Sequence, residues 1–357
     1  MNGAAGSSIA DRSAQAPTPP AEPDWRPRRR LRLTDGMRAA LPLIAAIIVI
    51  GAIATNGSSK FLTTQNLQNL LEQISVLGVL SVGATFLMVA GQLDLSVGSG
   101  ATLITIIFAK LVTGGTPQGL AILLCIGAGL AIGLIIGAIV ASTRVAPFIL
   151  TLGMMSVLIS VALIMSNQQP ISVGLRLSSL AVDRWLGIPL SFWVFLGALV
   201  AGALLLRYTR LGRNAYAAGS NEEAAHVSGV AVGMVKVGLY ALNGVMVGVA
   251  GLLLVSQLGS GDPTAGTGLE LQAIAAVVLG GASLAGGRGT MLGTFLGVLL
   301  LGLISNSLTI LGVASFYQQM VLGGVLMLAV VGTALMERQR ASGRSLLAVL
   351  GLRRGTA

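Results

Sequence analysis

Apolar residues run through this chain in long stretches, separated by short polar breaks. The stretches fall near 39–55, 70–91, 96–114, 119–141, 147–166, 191–207, 235–257, 270–285, 290–308 and 315–335. A helix crossing a bilayer needs ~20 mostly apolar residues, within a range of about 17–25. Nine stretches meet that length, and 270–285 is short enough to predict a tilted, broken or partial span. The pattern predicts an all-α integral membrane protein with about ten transmembrane helices and both termini on the same side.

Composition closes off the water-soluble reading. Of 357 residues, 54% are hydrophobic and 10% are charged, whereas soluble domains carry roughly 25% charged residues. So apolar a chain needs lipid as its solvent. The formal charge of +10 does not indicate a nucleic-acid partner, because the basic residues gather at the ends of apolar runs. With the N-terminus in the cytoplasm, eighteen of the 22 basic residues fall inside, among them Arg144, Arg207, Arg210, Arg213, Lys236 and Arg288. Only Lys60, Lys110, Arg176 and Arg184 fall outside. That bias supports both the orientation and the number of spans. The expected organisation is a disordered basic cytoplasmic tail (1–34), a transmembrane domain (35–336) and a basic cytoplasmic tail (337–357). The run Arg26, Arg28, Arg29, Arg30 and Arg32 either fixes orientation or also binds anionic lipid headgroups. Ala52-Ile53-Ala54 superficially resembles a signal-peptide cleavage site, but the apolar runs that follow favour an uncleaved first span.

Several chemistries are excluded. One cysteine, Cys125, and one histidine, His226, allow no intrachain disulfide, no metal cluster and no cofactor site built on them. The three lysines, Lys60, Lys110 and Lys236, lie in no phosphate-binding G-x-x-x-x-G-K-[ST] loop. The Gly-rich stretch GGASLAG lacks a lysine. No nucleophile–base pair can be assembled, so the chain is not expected to be an enzyme.

The longest polar interruption between spans, within 208–234, is the most informative. Ser220-Asn221-Glu222-Glu223 reads as a capping box, with Ser220 capping a short helix and Glu223 reaching back. The helix would run to about Ser228 and stop at Gly229. Ala224, Ala225, Ser228 and Gly229 would form one smooth face of small residues. Such a face suits insertion into a cleft of another protein. The bland alternative is a helix lying on the membrane surface, but the apolar anchors it needs are missing.

Glycines recur four apart within spans, as Gly129, Gly133 and Gly137, Gly244 and Gly248, and Gly293 and Gly297. They permit close helix approach, either in a sliding bundle or as ordinary membrane packing. Spans two to five and seven to ten are candidates for two inverted four-helix repeats related through the sixth. Asp94, at a span end, reads as a gate or as part of a cap in which Asp94 or Ser96 binds free backbone N–H groups.

Four ordered motifs carry a family resemblance. The first comprises Thr209, Gly212, Arg213, Tyr216, Ala217, Gly219, Asn221, Ala224, Ala225, Ser228, Gly229, Val230 and Val232. The second is Gly91, Asp94, Leu95, Ser96, Val97, Gly98 and Ser99. The third runs from Val145 to Met154 and the fourth from Leu279 to Thr290. Together they resemble the permease subunits of ribose-type monosaccharide ABC importers, over about 60–335. Gln92 stands where that family usually has Gly, and His226 where it often has Arg.

The resemblance implies cytoplasmic ABC ATPase subunits, an extracytoplasmic sugar-binding protein, and a second permease copy or paralogue as partners. It assigns coupling to Arg213, Ser220, Asn221, Glu222, Glu223, Ala224, Ala225, Ser228 and Gly229. Gln92, Asp94, Asn243, Gln272, Asn306, Gln318 and Gln319 are candidate hydroxyl partners for a passing sugar, and each equally suits a hydrogen bond to a neighbouring helix. The alternatives are a permease for branched-chain amino acids or another small solute, and an ion-coupled secondary transporter. The latter usually needs titratable groups inside the bundle, and here only Asp94, Glu72 and Glu270 approach that.

Overall fold

The computed structural model describes residues 32–143 and 145–342. Among them lie helices α1 (Arg32–Gly57), α2 (Thr64–Val89), α3 (Val97–Thr113), α4 (Gln118–Ser142), α5 (Pro147–Ser166), α6 (Ser179–Val182), α7 (Leu190–Tyr208), α8 (Arg210–Ser220), α9 (Glu222–Val227), α10 (Val232–Leu258), α11 (Leu269–Leu279), α12 (Met291–Ile310) and α13 (Ser315–Ser342). Strands β1 (Ile171–Ser172) and β4 (Ser260–Gly261) pair antiparallel, as do β2 (Arg184–Trp185) and β3 (Ile188–Pro189).

Every apolar run falls on a helix. Among the described residues, six helices, α2, α4, α5, α7, α10 and α12, are long and apolar enough to cross a membrane, and α3 and α11 are shorter. The helix expected over 270–285 has only 11 residues, about 16 Å at 1.5 Å per residue, against a hydrocarbon core of about 30 Å. It ends at Gly280 and Gly281, the latter at φ 88°, because the Gly-rich stretch that follows cannot continue a helix. Helix α1 starts at Arg32, inside the expected 1–34 tail, and α13 reaches Ser342, inside the expected 337–357 tail. The rest of both tails, with Arg26, Arg28, Arg29 and Arg30, lies outside the described residues, as does Arg144.

The core forms around α10, against which α4, α2 and α3 pack. Helix α2 is buried along most of its length, whereas α4, α5 and α7 expose most of their apolar surface, which suits lipid contact. The glycine rows explain the tightest packing. Gly129, Gly133 and Gly137 of α4 face Gly244, Tyr240 and Val237 of α10 so closely that an added Cβ would strike the opposing helix backbone or Tyr240. Gly293 and Gly297 of α12 meet Gly280 and Ala276 in the same way. Close backbone approach replaces the hydrophobic drive that lipid removes. Helix α3 packs on α4 and α5, and α11 packs on α12 and α13.

The two ends of α2, a 26-residue helix about 39 Å long, mark the two ends of the molecule. Near Val89 lie Gly219 and Gly287. Near its start, the Gln68 side chain donates to Gly187 O and the Asn66 side chain pairs with Asn306. Several of the described connections gather at one end or the other. Residues 90–96, 209–231 and 280–290 gather at the α8 end, and residues 58–63, 167–189 and 311–314 at the other. Accordingly Arg207, Arg210, Arg213, Lys236 and Arg288 share one end, and Lys60, Arg176 and Arg184 the other.

Candidate coupling segment and buried polar network

Two helices, not one, occupy the polar segment. Helix α8 begins after Thr209, whose Oγ1 accepts the Gly212 N–H at 3.2 Å. A Cβ at position 212 would strike the carbonyls of Leu205 and Leu206, so glycine allows the turn from α7. Helix α8 buries Gly212, Ala215 and Ala218. Arg213 is exposed and donates to Tyr208 O.

The expected capping box is corrected here. Ser220 is the last residue of α8, its backbone is already helical, and its hydroxyl donates to Tyr216 O at 2.7 Å. Asn221 is the extended residue, at φ −161° and ψ 106°, and its Oδ1 accepts the Ala224 N–H at 2.9 Å. Asn221 therefore caps α9, because only a residue outside the helix can turn its side chain back onto the free N–H groups. Glu222 and Glu223 then occupy the first turn of α9, where acidic charge is favourable. Glu222 also forms an ion pair with Lys236 of α10 at 2.7 Å.

The expected face of small residues is also divided. Ala225 points inward and packs with Ala218 and Val232. Ala224, Val227 and Ser228, at i, i+3 and i+4, are exposed, and that spacing puts them on one side of α9. Val227 is 82% exposed, a large apolar side chain in an otherwise polar segment. Gly229, at φ 84°, ends the turn as expected, with space around it.

The pathway candidates do not converge on one cavity. Gln92, Asp94 and Asn243 are buried together near the α2–α3 connection. Asp94 Oδ1 accepts from the Ser96 N–H at 2.8 Å and from the Ser96 hydroxyl at 2.6 Å, and its Oδ2 accepts from Asn243 Nδ2 at 2.8 Å. Tyr240 OH donates to Leu93 O at 3.0 Å. A buried carboxylate is tolerable only with such partners. They tie the 90–96 connection to the middle of α10. Gln92 donates weakly to Ala90 O and Gly91 O. The side-chain oxygens of Gln92 and Asn243 have no protein partner.

Asn306 lies at the other end, in a reciprocal amide pair with Asn66 at 2.9 and 3.0 Å. Gln318 donates to Val313 O and accepts from Thr309 Oγ1. Gln272 is half-buried in the first turn of α11, and Gln319 is exposed on α13. Reading the sequence alone missed Asn66, Tyr240 and helix α8. The spacing of Thr209 and Gly212, with apolar Leu211, Ala215 and Ala218 beyond, is the signal that marks α8.

Residues 66–330 match the family described as branched-chain amino acid transport system / permease component. The chain is 41% identical over 293 residues to the ribose import permease protein of Escherichia coli (strain K12), covering 81% of this chain and 91% of that protein. It is 39% identical over 300 residues to the ribose import permease protein of Bacillus subtilis (strain 168), covering 83% and 93%. It is 35% identical over 299 residues to the L-arabinose ABC transporter permease protein of Azospirillum brasilense, covering 84% and 88%. No solved structure matches the chain.

Proposed function

Because the chain belongs to the family of branched-chain amino acid transport system / permease components, we propose that it is the membrane permease of an ATP-driven importer for a monosaccharide of the ribose, arabinose or xylose kind. The observation that carries the substrate class is the identity to permeases named for ribose and L-arabinose over more than four-fifths of the chain. Those names favour a sugar over a branched-chain amino acid, despite the wording of the family description. The protein is a multi-pass component of the inner membrane and is not itself an enzyme.

Ten crossings account for the gathering of connections at the two ends, with α3 and α11 entering as shortened helices. The packing of α3 on α5 and of α11 on α13 fits two four-helix repeats, inverted by the odd helix α7 between them. The α8 end, with Arg207, Arg210, Arg213, Lys236 and Arg288, is the cytoplasmic one by the positive-inside rule. There α9 presents Ala224, Val227 and Ser228 to a cleft in a separate ATPase subunit. Arg213, Asn221, Glu222, Glu223 and Gly229 shape and flank that surface, while Ser220 and Ala225 support it from within. A sugar-binding protein delivers substrate at the opposite end, and a second permease copy or paralogue completes the pathway. Gln92, Asp94, Asn243, Gln272, Asn306 and Gln318 remain its polar candidates. ATP binding closes the ATPase pair, α9 moves with it, and the bundle opens to one side.

Proteoliposomes test this directly. The permease, its ATPase subunits and its binding protein should together accumulate labelled ribose, arabinose or xylose only when ATP is supplied. Accumulation by the permease alone, driven by a proton or sodium gradient, would overturn the reading in favour of a secondary transporter.

A further inference from the structure

Three stretches of backbone come into direct contact at the α8 end. A Cβ at Gly219, in the last turn of α8, would strike Val89 O at the end of α2 and would stand 2.7 Å from Gly287 N in the α11–α12 connection. A Cβ at Gly286 would lie 2.6 Å from Gly219 O and 2.8 Å from Gly91 N. The Gly287 N–H donates to Val89 O at 2.9 Å. One side chain reaches across to the same connection: Tyr216 OH, from α8, donates to Gly289 O at 2.7 Å.

We propose that this three-way glycine junction is the transmission between the docking helix and the membrane helices, with Tyr216 as the positioning residue that holds the α11–α12 connection against α8. The proposal rests on the reading of α9 as the ATPase docking element. Helix α9 is fixed to α8 and α10 through Ala225, Ala218 and Val232, so displacement of α9 carries the C-terminus of α8 with it. At most helix contacts, side chains can change rotamer and absorb a small shift. Backbone packed on backbone has no rotamers to change, and close-packed matter transmits strain. A shift at Gly219 therefore reaches the end of α2 and the start of α12 together. From α2 it continues through 90–96, which the Asp94–Asn243 and Leu93–Tyr240 hydrogen bonds tie to α10.

Proximity alone does not establish coupling, so the test reads coupling itself. The full importer is reconstituted in liposomes, and the sugar among ribose, arabinose and xylose that the wild type transports is used throughout. Tyr216→Phe keeps the ring and removes the hydroxyl. It should leave the amount of protein and the copurifying ATPase unchanged, while ATP hydrolysed per sugar moved rises about fivefold, the scale of one hydrogen bond in a two-state equilibrium. Gly219→Ala should lower uptake by at least about tenfold, since its Cβ meets backbone on two sides. If Gly219→Ala does not accumulate in the membrane, Tyr216→Phe decides alone. A wild-type ratio in Tyr216→Phe overturns the proposal, as does loss of the ATPase from that variant, which would make Tyr216 part of the docking face. Ala224→Arg separates the two readings. If it fails to release the ATPase, the docking reading falls and takes the junction with it. If it releases the ATPase while Tyr216→Phe leaves the ratio unchanged, only the junction falls.

Discussion

The two ends of the bundle are joined by different chemistry. At the α8 end, Gly219, Gly286 and Gly91 bring backbones into direct contact, with the Ser220 side chain beside Gly287. At the opposite end strands β1 and β4 pair backbone to backbone, but side chains make several further joints. Asn66 pairs with Asn306, Gln68 reaches Gly187 O, Gln257 reaches Glu72 O, and Trp193 donates to Trp185 O beneath the β2–β3 hairpin. A side-chain joint yields by rotating, whereas a backbone joint holds or breaks. On the proposed reading, the end that passes on motion is held by glycine backbone contacts, and the opposite end adds side-chain joints that can yield.

The sharpest way to break this contrast is a side chain in the stiff joint. Gly286→Val adds bulk at φ 89° against two facing backbones, and should cost more than about 3 kcal/mol of stability, read as the unfolding midpoint in detergent. A cost no larger than that of Asn306→Ala would erase the distinction between the ends. The middle-sized effect lies at the compliant end. Asn66→Ala and Asn306→Ala should each cost about 1 kcal/mol, with a coupling of about 0.6 kcal/mol in a double-mutant cycle; zero coupling would mean that the amide pair contributes nothing. The smallest effect is expected on the surface. Glu222→Gln breaks an ion pair whose Glu222 is 57% exposed and should cost less than about 0.5 kcal/mol, fading with added salt. A larger, salt-insensitive loss would show that α9 is held to α10 by charge and not by Ala225.

The positions of the helices were legible because long apolar runs leave a chain few other structures in lipid. The glycine rows at Gly129, Gly133 and Gly137 announced close packing, though not that Gly244 and Tyr240 would receive them. What stayed hidden was relational. Asp94 was readable as part of a turn before α3, but Asn243 lies 149 positions along the chain, and no local pattern links the two. Ser220 and Asn221 are both good capping residues, and the choice between them depends on where the preceding helix ends, which needed α8 to be seen first. Ala225 carries no mark in sequence that tells an inward alanine from an outward one, so the face drawn through it differs at that one position of its four.

Helix α11 has a consequence for how the protein is made. If α11 enters the membrane as proposed, its eleven residues bridge only about half of a hydrocarbon core of about 30 Å, and the connections on either side carry non-helical backbone to membrane depth. Such backbone is tolerated only when other protein surrounds it. During synthesis α11 cannot therefore settle in the bilayer on its own. It finds its surroundings only once α12 has followed it and can pack on it together with α2 and α3.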